Sequence, residues 1–84
     1  MWYYMTKYSF DSSKPVVGPF ETETEAYSNM LANAQREYEI DVNENSCGNE
    51  WETELYVDSE AGEITITNYF GTHKDVTEFF TFEI

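Results

Sequence analysis

Glu50, Glu52, Glu54 and Asp58, with Tyr56 among them, are spaced so that alternate side chains share one face of an extended segment. On a β-strand, alternate residues lie about 6.6–6.8 Å apart. Successive phosphates along a nucleic-acid strand have a broadly similar pitch. A carboxylate ladder of that pitch would offer a lysine- and arginine-lined groove a substitute for a phosphate backbone. Glu37, Glu39, Asp41 and Glu44 form a second acidic patch, and Glu21, Glu23 and Glu25 a third. Arg36 is the only Lys or Arg between Lys14 and Lys74. Like charges held together repel and cost stability. The chemistry they suit is docking on a positive partner, and such a field also speeds the encounter. Tyr3, Tyr8, Tyr56, Tyr69 and Phe79 are expected to interleave with the acids as aromatic anchors. An acidic surface kept for solubility alone is the competing explanation.

Other chemistries have weaker footing. Asp41 to Glu52 has the ligand spacing of a calcium loop, with Asp41, Asn43 and Asn45 alternating and Glu52 in the last position. Ser46 stands where the sharp turn needs glycine, and a strand rather than a helix is expected to follow. The plainer expectation is an Asn-rich helix end, so no metal or other cofactor is called for. His73 is the single histidine and falls in a turn beside Lys74 and Asp75. Cys47 and His73 are the one nucleophile–base combination available, and nothing in their spacing brings them together. No glycine-rich phosphate loop or zinc-ligand cluster is present in the sequence. The chain is not expected to be an enzyme.

The charge balance sets the wider frame. The 84 residues carry 17 Asp or Glu against 4 Lys or Arg, a formal net charge of −13. That excludes direct binding to nucleic acid through its phosphates and argues against adsorption to anionic membrane. Residues 1–84 suffice for one small domain with a thin core. High charge alone would suggest disorder, but 40% of residues are hydrophobic and 18% aromatic, enough to build a core. Cys47 is the only cysteine, so no internal disulfide forms, and a reducing cytoplasm is the expected compartment. No apolar run is long enough to span a membrane, and the first residues lack the pattern of a signal peptide.

The elements that must position these residues follow from periodicity. Residues 2–10 are aromatic and β-forming on both faces and read as a strand. Residues 11–19, ending in Gly18-Pro19, read as a connection. Thr22 and Glu25 have capping-box spacing, and Ala26, Tyr27, Met30, Leu31, Ala34 and Tyr38 trace one apolar stripe. The spacing predicts a helix from about residue 23 to about residue 42. Residues 50–58 alternate, with Trp51, Thr53, Leu55 and Val57 opposite Glu52, Glu54, Tyr56 and Asp58. Residues 63–70 alternate again, Ile64 and Ile66 inward, and residues 71–75 read as a turn. In the last strand, 76–84, Val76, Phe80, Phe82 and Ile84 share one face, and Thr77, Phe79, Thr81 and Glu83 the other; Glu78 is expected at the rim. The order β-α-β-β-β predicts an α+β domain, an antiparallel sheet with one helix on one face.

In size, charge, aromatic content and α+β order, the whole chain resembles the small acidic proteins of phages and mobile elements, including anti-CRISPR proteins and other nucleic-acid mimics. The resemblance carries no local motif, so no functional residue transfers from it. It implies an inhibitor whose partner is a basic nucleic-acid-binding protein such as a CRISPR effector nuclease. The alternative is a small interaction protein that forms homodimers through its aromatic first strand, because an exposed aromatic patch usually marks a contact site.

Overall fold

The computed structural model describes the backbone of residues 1–45 and 51–84. In chain order the elements are β1 (Trp2–Tyr8), β2 (Val16–Phe20), α1 (Glu23–Asn45), β3 (Trp51–Asp58), β4 (Glu63–Phe70) and β5 (His73–Glu83). They form an α+β domain in which one helix packs on one face of a five-stranded sheet. The strand order is β2-β1-β5-β4-β3, and every neighbouring pair is antiparallel.

The expected β-α-β-β-β order is present with one strand more. Val16–Phe20, of which residues 16–19 read from the sequence as a connection, pairs antiparallel with β1. Gly18 and Pro19 disguise it. A proline is tolerated on an edge strand because its missing N–H faces away from the ladder. Gly18 has φ +146°, and the Tyr3 ring lies so close that a Cβ there would stand 2.6 Å from Tyr3 Cδ2. The pairing also shifts register between Trp2 and Tyr4.

Helix α1 starts as its sequence directs. Thr22 caps it: the Glu25 N–H donates to Thr22 Oγ1 at 3.2 Å, and the Ala26 N–H donates to the Thr22 carbonyl at 3.2 Å. Glu25 turns back toward the Thr22 hydroxyl. The stripe meets the sheet through Ala26, Met30 and Ala34, all fully buried, with Tyr27, Leu31 and Tyr38 beside them. Opposite lie Tyr4, Ile64, Ile66 and Phe79. Phe20, just before the cap, stacks on Tyr4 with centroids 6.3 Å apart and anchors the helix entry. No described helix is long and apolar enough to cross a membrane.

The last strand departs from expectation in two ways. β5 begins at His73, so the turn before it is shorter than the expected 71–75 and Glu78 sits mid-strand rather than at the rim. Phe79 pairs with Thr6 on one side and Ile64 on the other, and it is completely buried under the helix. It is a core residue, not a surface anchor. The more apolar set, Val76, Phe80 and Phe82, lies on the face that the helix leaves open. Both faces of this strand carry aromatics, so alternation alone fixes the two sets but not their sides.

Candidate interaction surface

The sheet's open face can be built strand by strand from the register. β1 contributes Tyr3, Met5 and Lys7; β5 contributes Phe82, Phe80, Glu78, Val76 and Lys74. β4 adds Glu63, Thr65, Thr67 and Tyr69, and β3 adds Asp58, Tyr56, Glu54 and Glu52. The face is therefore divided. Its β1–β5 side holds an aromatic cluster, with Tyr3 stacked on Phe82 at 5.6 Å and Phe80 tilted against Phe82 at 6.3 Å. Its β4–β3 side holds carboxylates.

Strand β3 is one of the two terminal strands, paired with β4 from Trp51↔Phe70 to Asp58↔Glu63. Its alternation is as expected. Thr53 and Leu55 are part-buried on the helix side, while Glu52, Glu54 and Tyr56 are exposed on the open face. Tyr56 is 66% exposed. Glu54 accepts a hydrogen bond from the Tyr69 hydroxyl at 3.3 Å. Asp58 accepts from the Ala61 N–H at 3.1 Å and so also serves the turn into β4. Glu50, the first expected member of the ladder, lies outside the described residues, as does Cys47.

Two features of this face were not legible as site residues in the sequence. Glu63 lies directly across from Asp58, a like-charge cross-strand pair that disfavours the fold. The placing of Phe80 and Phe82 beside the expected anchor Tyr3 is the other. Only the strand order, which sequence alternation does not give, places Tyr3 beside Phe82.

The second acidic patch is separated from the ladder by the sheet itself. Glu37 and Asp41 face the helix side, where a cavity of about 280 Å³ opens between α1 and the strands, walled also by Tyr8, Phe10, Asn68 and Asp75. Burial pushes the Glu37 carboxyl above the usual carboxylate range, and Asp41 adds to this; a hydrogen bond from Tyr8 and the charge of Arg36 oppose it. Asp41 accepts from Asn68 Nδ2 at 2.9 Å, and Asn68 Oδ1 accepts from the Thr53 hydroxyl at 2.7 Å. Asp41 thus ties α1 to β4 and β3. Glu39 and Glu44 are exposed on the helix. Tyr8 belongs to this side too, so of the expected anchors only Tyr3, Tyr56 and Tyr69 lie on the open face.

The remaining candidates resolve similarly. Helix α1 continues to Asn45, so Asp41, Asn43 and Asn45 sit on a helix rather than in a calcium-binding loop. Ser46–Glu50, the middle of that pattern, lie outside the described residues. Among the described residues no group of three or more His, Cys, Asp or Glu is placed to hold a metal ion. His73 is 64% exposed and contacts Asp75 at 3.2 Å, the only ion pair found among the described residues and one that needs a protonated ring. Among the described residues no Lys or Arg forms an ion pair with Glu52, Glu54, Asp58 or Glu63.

Neither a family model nor a curated protein nor a solved structure matches this chain.

Proposed function

We propose that the protein is a non-catalytic binding module whose open sheet face docks on a Lys/Arg-lined surface of a nucleic-acid-binding protein and blocks access to it. One observation carries this reading: the face not covered by the helix combines uncompensated carboxylates (Glu52, Glu54, Asp58, Glu63) with exposed or half-exposed rings (Tyr56, Tyr3, Phe80, Phe82). Carboxylates steer and orient a basic partner, and aromatic side chains supply the contact energy. An inhibitor of the anti-CRISPR or DNA-mimic kind fits this combination and needs no cofactor. The helix-side acids Glu37 and Asp41 lie on the opposite side of the sheet from this face.

A charge reversal tests it. The triple variant Glu52→Lys, Glu54→Lys and Glu63→Lys spares the turn-forming Asp58. It should retain the circular dichroism of the parent and lose capture of the basic partner. A folded triple variant that captures the same partner equally well contradicts the proposal.

The aromatic half of the same face favours a second reading, a homodimer joined through Tyr3, Met5, Phe80 and Phe82. Sedimentation at rising concentration separates the two, since the dimer requires a mass that doubles and the docking module stays monomeric.

A further inference from the structure

The sheet has two edges, and they differ. β2 is five residues long, contains Pro19 and pairs with β1 through a register shift. These are devices that blunt an edge. β3 is eight residues long, contains no proline and pairs with β4 in unbroken register. Being terminal, it turns one row of backbone N–H and C=O groups away from the sheet, and among the described residues no strand pairs with that side.

We infer that β3, over Glu54–Asp58, is a docking edge that accepts an extended Lys/Arg-bearing segment of a protein partner as a sixth strand. The inference rests on the docking function proposed above and specifies how the partner is held. Backbone hydrogen bonds to an edge give such a complex its affinity, and alternate side chains give it selectivity. On the open face the incoming strand's side chains lie beside Glu52, Glu54, Tyr56 and Asp58, where Lys or Arg meets opposite charge and an exposed ring suited to cations. On the helix side they lie beside Leu55 and Val57, the latter 41% exposed, where an apolar residue fits. The partner pattern is therefore basic and apolar in alternation. The same charges refuse a second copy. Antiparallel pairing of two β3 strands sets carboxylates against carboxylates, between molecules that each carry −13.

The test uses the full chain and a capped heptapeptide of alternating lysine and valine, followed by amide NMR. The inference predicts shifts concentrated on Glu54–Asp58 and short peptide-to-β3 backbone contacts. Methylating every peptide amide keeps the charge but removes the ladder, and it should abolish binding. Glu52→Lys with Glu54→Lys should weaken binding by about tenfold while the circular dichroism is unchanged. Equal binding of the methylated peptide overturns strand addition. So do shifts centred on Tyr3, Phe80 and Phe82, an outcome that leaves docking through the open face standing. Absence of peptide binding also overturns strand addition, whereas the docking function falls if capture of the partner survives the triple reversal.

Discussion

The Tyr69 hydroxyl reaches diagonally across the β3–β4 pair and donates to the Glu54 carboxylate at 3.3 Å. The contact places a phenol in the field of the ladder. The charge of Glu54 is the largest of the effects that raise the Tyr69 pKa, followed by desolvation, the hydrogen bond itself and the charge of Glu52. Glu54→Gln should therefore lower the pH at which Tyr69 ionises, as followed by NMR of its ring. An unchanged titration would show that Glu54 does not face Tyr69.

Which face of β5 the helix covers is tested by two neighbouring rings. Phe79 is fully buried between Thr6 and Ile64, whereas Phe80 stands on the open face. Phe79→Ala should cost about 3–5 kcal/mol, a large share of the stability of so small a domain. Phe80→Ala should cost about 1 kcal/mol or less. Urea unfolding of the two variants measures the contrast, and equal losses would place the helix wrongly.

Glu37 gives the stability a pH dependence of defined sign. Its carboxyl holds a proton to higher pH in the folded chain than in the unfolded one, chiefly through burial. The folded state then binds more protons in that interval, so stability rises as pH falls through the raised pKa. The gain levels off below the ordinary carboxylate range. Glu37→Gln keeps an acceptor for Tyr8 and should flatten this part of the profile. It should raise Tm at pH 7 by about 2 °C, a modest shift because the group is only half-buried. Thermal melts from pH 7 down to pH 4 provide the check.

Asp58 and Glu63 face each other across β3 and β4 as like charges. Glu63→Lys converts this into an opposite-charge pair and should stabilise the fold by about 0.2–1 kcal/mol. The same change should weaken capture of a basic partner. A variant that is more stable and equally competent would mean that Glu63 has no share in docking.

The helix, its Thr22 cap, the alternation of β3 and the inward Ile64 and Ile66 were legible because each follows from local period or local hydrogen bonding. The β2 strand was not, because Gly18-Pro19 carries a turn signal that an edge strand tolerates. The sides of β5 were not, because Phe79 and Phe80 are equally apolar and only the pairing partners decide between them. For the site, the sequence showed Glu52, Glu54, Tyr56 and Asp58 on one face. It did not show that the sheet would divide them from Glu37 and Asp41, nor that Phe80 and Phe82 would join the expected Tyr3 on the same surface.

The most direct test of the docking account is capture of partners from nuclease-treated bacterial lysate on the immobilised protein, washed at low and at high salt. The account predicts one nucleic-acid-binding protein, held at low salt and released at high salt, because exposed charge pairs are screened within about 10 Å at 0.1 M ionic strength. Recovery of nothing, or of a partner indifferent to salt, would contradict it and leave the carboxylates of β3 and β4 as a means of solubility.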